Sequence, residues 1–242
     1  MLAAAFAFVL ITTHVTAEVP SYINICGRKD PNLDQCILNN IENLKDKICE
    51  GIPELDIRST NPLLLDQLVI FDTPNTKLYI KDSKVTGLCD FTINSLHMDI
   101  DKLHFDVDLL FKQIQINSTY DLNLQLLVPI ANKGQVYIST DNVGAKVGAD
   151  IKVVTKNGQR YMYISKLTIK LDIKGYYIKL DQNQRELNQL REIVTNFVGN
   201  NQEEILRTFR PVLEKAISNE IISISNNIVK HFTYEELFPD RT

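Results

Sequence analysis

The spacing of hydrophobic positions changes several times along this chain, and the changes divide it. Leu33, Ile37, Ile41, Leu44 and Ile48 follow steps of four, four, three and four, the pattern of one helix face. Asp30-Pro31-Asn32 supplies a start, Gly51 a stop, and Pro53 forbids continuation. Over residues 63–180 the period becomes two. Phe105, Val107, Leu109 and Phe111 alternate with Asp106, Asp108, Leu110 and Lys112. Leu122, Leu124, Leu126 and Val128 alternate with Asn123, Gln125 and Leu127, and Leu167, Ile169, Leu171 and Ile173 with Thr168, Lys170 and Asp172. Such alternation puts one strand face in the core and the other in water, the antiparallel habit. Asn157-Gly158 reads as a tight hairpin turn, and Asn132-Lys133-Gly134, after Pro129, as another.

Helical spacing returns at 184–198, with Leu187, Leu190, Ile193, Val194 and Phe197 on one face. It breaks at Gly199-Asn200-Asn201 and resumes at 202–232. The last stretch carries a broad stripe: Ile205, Phe209, Val212, Ala216, Ile224, Ile228 and Phe232, interrupted by Glu220 and widened by Leu206, Leu213, Ile217, Ile221, Ile222 and Val229. A stripe that wide suits burial on more than one side. At about 1.5 Å per residue the helix spans roughly 46 Å, with a kink expected at Pro211. A one-sided sheet and a helix apolar over most of its girth complete each other if the sheet curves around the helix. The expected fold is therefore α+β, a long C-terminal helix wrapped by a highly curved antiparallel sheet.

Composition narrows the setting. The 242 residues are 44% hydrophobic and 23% charged, with no Pro/Gly-rich linker, so 18–242 reads as one domain. A net charge of -4 and the lack of a basic run exclude nucleic acid as the expected partner. Residues 2–11 are an apolar run, and Val15-Thr16-Ala17 offers small or compact residues at a cleavage position. Residues 1–17 thus read as a secretory signal peptide, although a basic side chain is missing from its start; the run is far shorter than the ~20 residues of a span. After its removal no membrane segment is expected, and the protein is expected to be extracellular.

Export makes the four cysteines informative. Cys26 and Cys36 flank a polar turn and are expected to pair. The even count favours a second bridge, Cys49–Cys89, although sequence alone permits three connectivities and buried free thiols. Asn117-Ser118-Thr119 is a glycosylation sequon, placing a candidate glycan on Asn117. His97, Asp99 and Asp101 share one strand parity and His104, Asp106 and Asp108 another. A metal site is conceivable from such sets, but polar-out alternation accounts for them as the wet face of the sheet. No nucleophile elbow, zinc-protease helix, phosphate loop or dinucleotide motif is present. No catalytic residue, cofactor or metal is expected.

Several segments resemble the insect juvenile hormone-binding and takeout family. They are CGRKDPNLDQCI at 26–37, GIPELDIRSTNPL at 51–63, GLCDF at 87–91, YDLNLQLLVPIANKG at 120–134 and YEELFP at 234–239. Each is modest; their order along nearly all of the mature chain is specific. The chain has no cysteine after Cys89, where hormone-binding members carry a later disulfide, so it lies nearer the takeout branch. The resemblance implies a fold similar to one half of the bactericidal/permeability-increasing proteins, with an internal tunnel for a lipophilic ligand and no catalysis.

On that reading the protein is a secreted carrier of a terpenoid or fatty-acyl molecule, expected to be a monomer and to meet a cell-surface receptor. Parity and periodicity nominate the lining: Leu33, Ile37 and Ile41 of the first helix; Phe91, Ile93, Phe105, Val107, Leu124, Leu126 and Ile138 of the sheet; Phe209, Val212, Ile217 and Ile221 of the long helix. Tyr120 and Tyr137 are the candidates for meeting a polar head, since a phenol has an apolar body and a polar tip. Two rivals are a solid-cored signalling or structural protein that acts through its outer surface, as a takeout-like regulator of feeding or circadian behaviour would, and a lipophilic-ester hydrolase using His97 or His104.

Overall fold

The first helix forms where its spacing places it, α1 at Leu33–Glu50, with Gly51 at its C-terminus in a left-handed conformation (φ 97°). In the computed structural model the described residues are 19–125, 129–181 and 199–242, excepting the side chains of Leu124 and Ile130. The expected signal peptide, the expected helix at 184–198 and Leu126 lie outside the described residues. After α1 a single 3-10 turn, Pro53–Leu55, leads into seven strands. These are β1 (Leu63–Asp72), β2 (Thr76–Thr86), β3 (Phe91–Asp99), β4 (His104–Leu124), β5 (Ile130–Lys156), β6 (Gln159–Asp172) and β7 (Tyr177–Leu180). The long helix α2 (Gln202–Val229) and a one-turn helix α3 (Tyr234–Leu237) follow.

All strand pairs are antiparallel, in the path β1-β2-β4-β5-β6, with β3 against β4 and β7 against β5. Asn157 and Gly158, both at positive φ, make the two-residue turn between β5 and β6. The turn expected at Asn132-Lys133-Gly134 is not one. Those residues lie inside β5, paired with Leu122, Asp121 and Tyr120 of β4. Gly134 serves a different end: a Cβ there would lie 3.0 Å from the Tyr120 ring and hydroxyl, so glycine admits the phenol against the strand.

The strict alternation read from sequence breaks in each strand from β1 to β6, in β6 at Ser165-Lys166 and in β1 a second time at Ile70-Phe71. Adjacent polar residues interrupt it at Asp66-Gln67, Lys81-Asp82, Asn94-Ser95, Lys112-Gln113 and Asp141-Asn142. Register shifts fall at Lys81/Lys84 and Ile93/Ser95, and Asp82 and Asn142 both have φ 52°. Bulges and left-handed residues bend a strand and add twist. They also change which parity faces inward. In β4 the inward residues are Phe105, Val107, Leu109 and Phe111 before the break and Ile114, Ile116, Ser118, Tyr120 and Leu122 after it.

The result is a sheet curled until both ends of its path meet one helix. Ile221 and Ile222 of α2 pack on the cluster of Ala149, Leu167 and Ile169, while Phe209 meets Phe71 of β1 edge to face with ring centroids 5.6 Å apart. Side chains of α2 also satisfy the outer edge of β6, the last strand of the path among the described residues. Asn226 Nδ2 donates to Ile164 O (3.0 Å) and Asn226 Oδ1 accepts from Ile164 N–H (2.8 Å), the pair of bonds a neighbouring strand would make. Glu214 accepts from Leu171 N–H at 2.8 Å. Helix α2 runs through Pro211, which is exposed.

Candidate functional site

One end of the curled sheet is closed by the residues on which the family resemblance rests. Ile52, Leu55 and Ile57 bury themselves with Phe232, against Ile48 and Ile228. Cys26, Leu33 and Met98 form a second cluster with Cys36, Ile37, Ile100, Phe105 and Phe238. Helix α1 is stapled across this end by Cys26–Cys36 in its first turn and Cys49–Cys89 in its last. The N-terminal cysteine loop and the C-terminal ending bind each other: Arg28 N–H donates to Pro239 O at 2.9 Å, and Arg28 and Arg160 lie over the Tyr234 ring at 4.9 and 5.2 Å. Thr233 and Glu236 cap α3 reciprocally.

Beyond these clusters the inner wall is apolar but incompletely covered. Phe71, Leu78, Ile80, Ile114, Ile116, Leu122 and Ile138 all remain half-buried. On α2, Ile217 shares a helical face with buried Leu206 and yet is 37% exposed. A few polar groups interrupt this wall. Ser118 Oγ donates to Ser83 Oγ at 2.8 Å, both residues being buried. Tyr120 donates its hydroxyl to Asn132 Oδ1, and burial pushes its pKa up. Tyr176, at the inward parity of β7, has its pKa raised by burial too, and its hydroxyl, like Arg210 Nε, is buried without a hydrogen-bond partner among the described residues.

Most of the sequence-nominated residues lie on this inner side. Leu33 and Ile37 meet Phe105, which also packs with Val147 and Ile221 on the cluster of Ala149, Leu167 and Ile169, so one aromatic ring joins the first helix, the sheet and the long helix; Val107 is half-buried and pairs with Val147. Phe91 packs on Phe111, with Lys45 of α1 over its ring at 4.4 Å. Ile93 pairs with Leu109, while Ile41 and Val212 are half-buried. Leu124 ends β4. Tyr137 is a correction. It has the parity opposite to Val136 and Ile138 and stands across from Asn117 and Lys179, on the outer face. The inner-wall phenols are Tyr120 and Tyr176. Phe71, Ser83, Ser118 and Tyr176 went unnominated. Only Ser118 carried a usable signal, its alternation with Ile114 and Ile116.

The histidine and aspartate sets lie on the outer face and are linked, except that Asp101 falls in the turn between β3 and β4 rather than on a strand. Asp34 of α1 accepts from Met98 N–H at 2.8 Å and sits 2.9 Å from His97 Nδ1. His97 stands opposite Asp106, whose Oδ2 is 3.3 Å from His104 Nε2, and His104 Nδ1 is 2.6 Å from Asp150. The hydrogen bond to Asp34 raises the His97 pKa, and that to Asp150 raises His104. Burial alone would raise Asp34, but the bonds from His97 and Met98 outweigh it and hold the carboxyl below its ordinary value. Among the described residues no group of three or more His, Cys, Asp and Glu is arranged to hold a metal ion. A solvent-open concavity of about 580 Å³ at the start of α2 is lined by polar residues from Asn200 to Arg207 and contains none of the nominated apolar residues. No helix of the described residues is long and apolar enough to cross a membrane.

Comparison with known proteins agrees with this architecture. The family described as haemolymph juvenile hormone binding protein matches residues 3–239. The juvenile hormone-binding protein of Manduca sexta is 23% identical over 150 residues, an alignment covering 58% of this chain and 61% of that protein, under two thirds of its length. A candidate beta-carotene-binding protein of Schistocerca gregaria is 17% identical over 230 residues, 91% of this chain and 89% of that one. The crystal structure of Takeout 1 from Epiphyas postvittana superposes with a TM-score of 0.72 at 19% identity, covering 89% of this chain and 99% of that one, which shows the fold.

Proposed function

The chain belongs to the haemolymph juvenile hormone binding protein family, and from that premise we propose that it is a secreted carrier holding one lipophilic molecule, a terpenoid or fatty-acyl compound, between the sheet and α2. The family consists of binding proteins, and this chain is not an enzyme. The observation that carries the reading is the half-buried apolar inner wall: aliphatic side chains that a solid core would cover completely stay partly accessible along β1, β2, β4 and β5, and on α2 at Ile217. Apolar sites with a few convergent polar groups are the usual form of lipophile pockets.

Removing a ligand's apolar surface from water supplies the affinity. A molecule with ~300 Å² of such surface gains roughly 7 kcal/mol gross, before association costs. Tyr176 and Arg210 supply donors for its polar head, and an unsatisfied buried donor gains most from a partner; Tyr120, whose O–H goes to Asn132, offers its oxygen as an acceptor. Two disulfides fit an extracellular carrier, since such bonds persist outside the cell.

The test is native mass spectrometry of the secreted protein, followed by titration of delipidated protein with a fluorescent fatty acid. A copurifying lipid and saturable uptake are expected, with Ile138→Arg weakening uptake at least about tenfold, the factor that ~1.4 kcal/mol represents, while the circular dichroism spectrum is kept. Neither copurifying lipid nor uptake by the wild type would refute the carrier and leave the fold to act through its outer surface.

A further inference from the structure

The sequon at Asn117 is the one sequence motif that the carrier reading does not use, and the structure gives it a specific setting. Residues 117–119 lie within β4, with β2 on one side and β5 on the other. Strand alternation turns the middle residue, Ser118, inward, where it is 1% exposed and bonded to Ser83. Asn117 is exposed on the opposite, convex face. Its direct neighbours there are Lys84 of β2, also exposed, and Tyr137 of β5, with Lys179 of β7 one strand further on. Directly opposed residues of an antiparallel pair place their Cβ atoms about 4.5–5.5 Å apart. A phenol ring therefore lies beside the acceptor amide, on a face with no element packed over it among the described residues.

We propose that Asn117 carries an N-linked glycan whose first sugar packs on the ring of Tyr137. The linkage forms between Asn117 Nδ2 and the sugar's anomeric carbon, with the lipid diphosphate of an activated oligosaccharide donor as leaving group. Chain order makes the modification compatible with a mid-strand position. Residues 130–156, which form β5, are synthesised after Asn117, so the acceptor reaches the secretory membrane before its strand is paired on both sides. In the folded protein the sugar projects from the convex face, opposite the inner wall. It covers the apolar face of a ring that the inner site does not use, since a sugar's C–H face and an aromatic ring bury apolar area together. It also occupies the outer face where β2, β4, β5 and β7 run side by side, closing that face to docking. The inference is independent of which ligand, if any, the interior holds.

The experiment expresses the full chain through an insect-cell secretory route and compares intact masses before and after peptide N-glycosidase. The wild type is expected to carry a glycan whose removal converts Asn117 to Asp. Asn117→Gln and Thr119→Ala lose it, and Thr119→Ser keeps it. A secreted, disulfide-bonded wild type left unmodified at Asn117 overturns the site. For the ring contact, enzymatic removal of the glycan is expected to lower the wild-type Tm by roughly 2 °C and to leave the Tm of Tyr137→Ala unchanged. Equal shifts in both proteins overturn the role of Tyr137.

Discussion

The seam between α2 and β6 rests on a single amide to a testable degree. Asn226 donates to Ile164 O and accepts from Ile164 N–H, at 3.0 and 2.8 Å, where β6 has no strand beyond it among the described residues. Each such bond contributes about 0.5–1.5 kcal/mol net, and the donor and acceptor abandoned in a partly buried seam add desolvation cost. Asn226→Ala is therefore expected to destabilise by about 2–3 kcal/mol, a fall in Tm of roughly 4–12 °C for a domain of this size. Asn226→Asp does not restore it, because a carboxylate keeps the acceptor for Ile164 N–H and sets a second oxygen against Ile164 O. Asn227→Ala, one residue along and bonded only to Lys230 among the described contacts, is the control, with an expected change within about 0.5 kcal/mol. Thermal unfolding followed by circular dichroism reads the stability, and hydrogen exchange at the Ile164 amide reads the bond itself. An Asn226→Ala protein that melts within ~1 °C of wild type, or that keeps the Ile164 amide protected, would show that apolar packing of Ile221 and Ile222 holds the seam alone.

Removing the Cys49–Cys89 bridge with a double alanine substitution is expected to cost about 2–4 kcal/mol in denaturant unfolding, since it closes a span of 40 residues, more than the 10 of Cys26–Cys36. Tyr120→Phe should weaken a ligand with a hydroxyl head about fivefold and leave a plain alkane unaffected in competition titrations, the effect of one lost hydrogen bond of ~1 kcal/mol. The Asp34–His97 contact gives a signed pH dependence. His97 is raised above its ordinary 6.5, so its contribution is complete below about 6.5 and lost as pH rises through the folded value; Asp34 is lowered from 3.8, so its contribution is present above that value and lost as pH falls through the folded one. The tie between α1 and β3 should thus be firmest in mildly acidic solution. Stability measured across pH should show an alkaline decline that Asp34→Asn flattens, and an unchanged slope in that variant would remove the pair from the account.

The order and type of the elements were legible in the sequence because period alone carries them. A period near 3.6 marked α1 and α2, and a period of two began and ended at the residues where β1 opens and β7 closes, Leu63 and Leu180. Cysteine pairing was legible for Cys26–Cys36 from proximity and for Cys49–Cys89 from the even count. The inward face was legible locally, which is why Phe105, Val107, Ile138 and Ile221 fell on the inner side.

Parity could not be carried across the breaks. Asp82 and Asn142 take left-handed backbone, and bulges at Lys81/Lys84 and Ile93/Ser95 reset the alternation, so the two halves of a strand present different sets of residues to the interior. Nor could sequence tell Tyr137 from Tyr176, or see that Asn132-Lys133-Gly134 is strand rather than turn, because a turn signal yields when twenty residues of β4 offer a continuous ladder to β5. Local spacing thus determined which residues are apolar partners of something. Only the closed curl of the sheet, with β1 and β6 both meeting α2, decided which partner each one has and which of them the curl leaves uncovered. Closure depends on the summed bend and twist of all the strands, and no window of sequence contains that sum.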